Sequence, residues 1–194
     1  MNNNERIAKN TVFLYFRMLL IVVVNLYASR VTLKVLGVDD FGIYQTVGGV
    51  VTFLAFLSNA LGSGTSRFIT FEMGKKRPRL KELFSTVRIA HIILAFAIVV
   101  IGEIIGTWTI YNKLVIPPER MQAAVFAFHF SMIATFFQIT QVPYNATIIA
   151  YEKMNVYAYA SIFEAVGKLA IVYLLNVLSY DKLELYSVLM CLVT

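Results

Sequence analysis

The chain has 194 residues, 59% hydrophobic and 14% charged, with a formal net charge of +6. A soluble domain averages about 45–50% apolar and about 25% charged residues, so both departures, with a mean hydropathy of +0.72, exclude an ordinary soluble fold and point to a chain that crosses a membrane repeatedly. The positive balance does not read as a nucleic-acid interface, because much of it sits in one stretch, 74–81 (GKKRPRLK), between long apolar segments.

A spanning helix needs about 20 mainly apolar residues. The polar start, MNNNERIAKN, runs directly into the first such segment, 12–36, with no small-residue cleavage site after it, so a retained helix is expected. Gly37 is its expected stop, with Arg30 and Lys34 reaching for the headgroups. A turn at 38–42 leads to a second segment, 43–71, and the basic loop then leads to a third, 83–111. Pro117-Pro118-Glu119 makes a helix start for a fourth segment, 121–150, in which Pro143 is the expected kink. Tyr151-Glu152-Lys153 is read as a short turn before a fifth segment, 156–178. A turn over 179–185 precedes a sixth, 186–194, too short to cross a bilayer, so the chain reads as part of a longer protein.

The fold class expected is therefore all-α, a polytopic transmembrane bundle of about six helices forming a single domain, 1–194. Lys and Arg concentrate in cytoplasmic loops. Arg6, Lys9, Arg67, Lys75, Lys76, Arg77, Arg79, Lys81 and Lys153 fall on the side of the basic loop. Arg30, Lys34, Lys113, Arg120 and Lys182 fall on the other, and Arg17, Arg88 and Lys168 lie within segments. That asymmetry puts the N-terminus in the cytoplasm.

Polar residues inside a membrane face a bundle interior or a wet cavity. The second segment repeats Gly48, Thr52, Ala55, Asn59, Gly62 and Ser66 at helical spacing, which suits either close helix packing or a cavity wall. The fourth aligns Ser131, Thr135, Gln138 and Asn145, with Gln141 beside them. The fifth aligns Tyr157, Ser161, Glu164 and Lys168. The third opens with Arg88 and His91 and continues through Ala95 to Gly102, and the first offers Asn10 and Arg17. Five segments are thus expected to turn polar faces to a shared interior. Glu164 and Lys168, four apart, either neutralise each other or act on a ligand. Arg17 either pairs with Glu103 or Glu164 or awaits an anion, and Arg88 either lines the cavity or snorkels.

Cys191 is alone, so no disulfide framework or Cys-based metal site is expected. His91 and His129 lack ligands at metal-binding spacing. Asp39 and Asp40 are read as turn residues, and no phosphate loop, HExxH or nucleophile elbow occurs. Neither catalysis nor a cofactor is expected.

The wording of several stretches is more specific: Ser29-Arg30-Val31, Leu36-Gly37-Val38-Asp39-Asp40-Phe41-Gly42-Ile43-Tyr44, Val47-Gly48-Gly49-Val50, Ser66-Arg67-Phe68, Val115-Ile116-Pro117-Pro118-Glu119-Arg120-Met121, Gln141-Val142-Pro143-Tyr144-Asn145-Ala146 and Tyr151-Glu152-Lys153-Met154. With these the chain resembles the Wzx-type polysaccharide (O-antigen and capsule) flippases, relatives of the lipid II flippase and the MATE exporters. The resemblance implies a MATE-like N-terminal lobe, the first of two bundles, whose partner is the C-terminal half of the same transporter. It implies a lipid-linked oligosaccharide on undecaprenyl pyrophosphate as substrate, moved across the bacterial inner membrane by alternating access through a cationic cavity. On that footing Arg17, with Arg88 or Lys168, is expected to hold the pyrophosphate, beside Asn59 and Gln138. Glu103 and Glu164 are expected to hold the bases or to couple to an ion gradient. The competing readings are a MATE-type cation-coupled drug exporter, whose cavity would be acidic, and a non-transporting membrane scaffold.

Overall fold

The computed structural model describes residues 3–76, 79–176 and 180–193, with the backbone alone at 3–10, 50 and 53–59. It is an all-α helical bundle. The helices are α1 (Asn3–Met73), α2 (Leu80–Asn112), α3 (Met121–Ala150, entered through a 3-10 turn at Pro118–Arg120), α4 (Met154–Leu175) and α5 (Lys182–Val193). Among the described residues four stretches, Thr11–Gly49, Leu80–Asn112, Pro118–Ala150 and Met154–Leu175, are long and apolar enough to cross a membrane.

As one rod, the 71 residues of α1 would run about 107 Å at 1.5 Å per residue, over three times the hydrocarbon thickness of about 30 Å. Gly37 breaks the rod. Its φ of 85° and ψ of 173° lie in a region open essentially to glycine alone. It divides the helix into a first arm, 3–36, and a second, 38–73. Helix resumes at Val38, so the turn expected over 38–42 is a single-residue break instead. One glycine in an extended, left-handed geometry redirects the chain without needing further loop residues.

The first arm lies along α4. Arg17 stacks over the Tyr157 ring, 4.3 Å from its centroid, and the Tyr27 hydroxyl lies 2.6 Å from that of Tyr173. Residue numbers rise together, so the two run parallel. The connections sort to two ends. At one, Arg120 joins Asp40 to Asp181, and Lys182 Nζ donates to the Val35 carbonyl at 3.1 Å. At the other, the basic loop lies beside the 151–153 turn, where Ile69, Leu80, Lys81, Thr147 and Tyr151 share a pocket. There the Glu72 carboxylate accepts from Lys75 and from the Arg79 backbone N–H, and the Lys75 bond holds its carboxyl below the usual range. The segments therefore alternate in direction.

α5 begins at Lys182, inside the stretch expected to be a turn. Asp181 accounts for the early start. Its Oδ1 accepts the N–H groups of Leu183 at 3.0 Å and Glu184 at 3.2 Å, satisfying donors that a helix start otherwise leaves orphaned.

α3 is the central helix. Ala123, Ala124, Ala127, Phe128, Met132, Ile139, Val142 and Ala146 are all buried, and around its axis it meets α1, α2, α4 and α5. Small side chains allow that approach. Pro143 lies within α3 without ending it. The tightest contact is with α2, where a Cβ placed on Gly106 would come 2.1 Å from Cζ of Phe128. Phe128 is fully buried, so its ring has no room to swing aside. Gly106→Ala is expected to cost about 1–3 kcal/mol, the usual cost of overpacking, read as a lower melting temperature in detergent. Unchanged melting would mean that the two helices separate freely.

Candidate functional site

The polar residues of α3 sit on one stripe. At 1.5 Å per residue, Asn145, Gln141 and Gln138 lie about 8, 14 and 18 Å from the end of α3 nearest the basic loop. Tyr157, Ser161, Glu164 and Lys168 of α4 climb in parallel, spaced to keep one face. Between these stripes and the second arm lies a cleft of about 590 Å³, where Gly62, Ser63, Gln138, Gln141, Asn145 and Glu164 meet. The second arm packs close to α3 at Gly62, where a Cβ would meet Val142 Cγ1 at 3.6 Å, an ordinary contact.

Two further spaces adjoin it. One, of about 370 Å³, shares Gln141, Asn145, Tyr157 and Glu164 and adds Arg17 from the first arm. The other, of about 240 Å³, continues from Gln138 toward the Arg120 end, past Ser131, Thr135, Lys168, Thr52 and Ser187. The three form one polar groove bordered by both arms, α3, α4 and α5.

Its charges are unevenly satisfied. Lys168 Nζ donates to Glu164 Oε1 at 2.6 Å, so this pair neutralises itself across one helical turn. Arg17 has no carboxylate partner among the described residues. Its guanidinium lies on the Tyr157 ring, a cation–π contact. Among the described residues its Nε is the sole buried side-chain nitrogen or oxygen without a hydrogen-bond partner. A buried donor left unmade costs about 1–3 kcal/mol, and more on a charged group.

Arg17, Gln138, Glu164 and Lys168 thus border one groove. Arg88 and Glu103 do not. Arg88 is exposed on α2, and Glu103 pairs with His129 Nδ1 at 2.7 Å on the α2–α3 side, not with Arg17. The reason lies in packing. The face of α2 formed by His91, Ala95, Gly102, Gly106 and Ile110 is buried, and α2 makes no contact with α4 among the described residues. His91 lies in that buried seam. Its Nδ1–H donates to the Val87 carbonyl at 2.8 Å, and Nε2 lies 3.5 Å from the Thr65 hydroxyl. The α2 face expected to join a shared interior is instead a packing surface. The side chain of Asn59 lies outside the described residues, as does that of Asn10.

Ser63 and Ser187 join the groove without having been singled out by the sequence. Ser63 hides beside Gly62, and Ser187 lies in a segment that reads as plain apolar. Gly106 was also missed, although Gly102 and Gly106, four apart in an apolar segment, carry the small-xxx-small packing signal. No group of three or more metal-binding side chains occurs among the described residues.

No known protein family, curated protein or solved structure matches the chain. The class rests on the bundle itself: an all-α protein with helices able to span a membrane and a polar groove between them.

Proposed function

We propose that this chain is the N-terminal bundle of a transporter that flips undecaprenyl-pyrophosphate-linked oligosaccharide units across the bacterial inner membrane for surface polysaccharide synthesis. The observation that carries this reading is Arg17, a cation with an unmet buried donor on the wall of an otherwise polar groove. A guanidinium binds phosphate oxygens through paired, charge-assisted hydrogen bonds. Glu164, the acid on the same wall, is engaged by Lys168, so Arg17 keeps its charge for a ligand. Gln141 and Asn145 lie beside it, amides able to bond pyrophosphate oxygens or sugar hydroxyls. The lipid tail stays in the bilayer. The basic loop end is the cytoplasmic end, by the distribution of Lys and Arg, so the headgroup enters nearest Arg17. The C-terminal half of the same transporter completes the cavity.

In cells that make the polysaccharide, Arg17→Ala is expected to lower its surface amount by about tenfold, the effect of losing one charge-assisted hydrogen bond. Arg17→Lys retains part of the activity, because charge survives but the fork does not. Glu164→Gln leaves export near normal. Normal export by Arg17→Ala at normal expression removes the proposal. The cation-exporter reading draws on Glu164, which borders both wider parts of the groove. It predicts the reverse order, with Glu164→Gln the damaging change.

A further inference from the structure

The end of the bundle that carries the basic loop holds a second kind of hollow. The second arm of α1, α2 and α3 converge there on a pocket of about 210 Å³. Ile69, Leu80, Phe84, Thr147 and Tyr151 border it, with a single cation, Lys81. Ile69 is buried, and the Phe84 ring is fixed edge-on against Tyr144, their centroids 5.2 Å apart. None of these residues borders the groove between α3 and α4.

Two of the neighbouring cations are engaged. Lys75 bonds Glu72, and Arg79 lies 3.7 Å from Glu82. Lys81 has no acidic partner among the described residues. It belongs to the first turn of a helix long enough to span, at the depth where headgroups lie. An unpaired ammonium above an apolar hollow is complementary to one molecule abundant at that depth: a lipid whose headgroup carries net negative charge.

We propose that this pocket binds an anionic phospholipid, its phosphate on Lys81 and the first methylenes of one acyl chain between Leu80, Phe84 and the Tyr151 ring. Lys76, exposed in the adjacent turn, adds to the local positive potential but does not border the pocket. A zwitterionic lipid brings its own ammonium toward the same cations and loses most of the attraction. The bound lipid joins three elements that approach each other there, so it also stabilises that end of the bundle.

The test is lipid retention by the full purified chain in detergent, read by native mass spectrometry after addition of phosphatidylglycerol or phosphatidylcholine of the same acyl chains. The unaltered protein is expected to retain phosphatidylglycerol preferentially. Lys81→Gln lowers that preference about fivefold, the share of one basic side chain at an anionic surface, and Lys76→Gln leaves it largely intact. Leu80→Trp, which fills the hollow, lowers retention while keeping Lys81. Equal loss in the two lysine variants would reveal diffuse charge rather than a site and overturn the proposal. No preference in the unaltered protein overturns it as well. Inorganic phosphate displacing the phospholipid at matched concentration reduces the pocket to an anion site. Preferential retention of a short polyprenyl pyrophosphate assigns it to a transported lipid instead. Either result also overturns the phospholipid assignment.

Discussion

Arg120→Ala is expected to destabilise the bundle by about 3 kcal/mol, between the value of an exposed ion pair and that of a buried one. Arg120 donates from Nε and Nη2 to the two carboxylate oxygens of Asp40, at 2.7 and 2.6 Å. From Nη1 it reaches Asp181 Oδ2 at 2.6 Å. One guanidinium therefore ties the start of the second arm, the entry to α3 and the cap of α5. The side chains are 28% exposed for Arg120, 17% for Asp40 and 33% for Asp181, too enclosed for water to replace the arginine fully. Without it two carboxylates face one another. For a chain of this size the loss corresponds to a melting temperature lower by about 6–12 °C. Arg120→Lys recovers only part, because an ammonium cannot fork to two carboxylates. Asp181→Asn keeps the cap on Leu183 and Glu184, so it should cost about 1 kcal/mol less than Asp181→Ala. Melting of Arg120→Ala within a degree of the unaltered protein would show that the junction contributes nothing.

The same junction sets an acid limit. The hydrogen bond from Arg120 holds the Asp181 carboxyl below its usual range, against the opposing effect of partial burial, with help from the Glu184 and Leu183 N–H groups. A depressed carboxyl contributes stability that is complete above its unfolded value, near pH 4, and is lost as pH falls through the folded one. Melting is therefore expected to be flat from neutrality to about pH 4 in this respect and to fall below it. The part of that fall due to Asp181 should shrink in Arg120→Ala, leaving what the Leu183 and Glu184 N–H groups contribute.

What could be read from the residues differs by level. Helix existence was legible because each segment is apolar for longer than a soluble core requires. The polar stripes of α3 and α4 were legible because Gln138 and Asn145, or Glu164 and Lys168, recur at helical spacing. The fate of the α2 stripe was not. Arg88, His91 and Gly102 give the same pattern whether a helix borders a cavity or packs against a neighbour. Only the proximity of Gly106 to Phe128 decides between them, and periodicity holds no information about a partner helix. The Arg120 junction was illegible for a related reason. Asp40 and Asp181 each look like ordinary turn residues, and their common partner is set by three connections meeting at one end. Gly37 was identifiable as a break, but a pattern of residues does not say whether a break is a loop or one residue.

The polar groove makes a second strong prediction, about water. Cys191 is the chain's one cysteine and itself borders the groove, so labelling needs a background in which it is replaced by alanine. In that background, cysteines at Ser161, Gln138 and Asn145 are expected to react with a charged, membrane-impermeant maleimide when the basic end is accessible. Cysteines at Tyr159 and Val166 are exposed on α4 and border none of the groove, so they should not react. The attacking species is the thiolate. Desolvation by hydrocarbon that raises a thiol by two pH units reduces its thiolate, and hence its rate, on the order of 100-fold. The contrast is therefore chemical as well as steric and survives a small, permeant reagent in weaker form. Wetness also bears on the Glu164–Lys168 pair. In a hydrated groove Lys168→Met costs about 1 kcal/mol or less, whereas in lipid an abandoned carboxylate costs several. Failure of the groove cysteines to react, with a large stability loss in Lys168→Met, would place these charges in a dry seam and remove the basis for anion capture by Arg17.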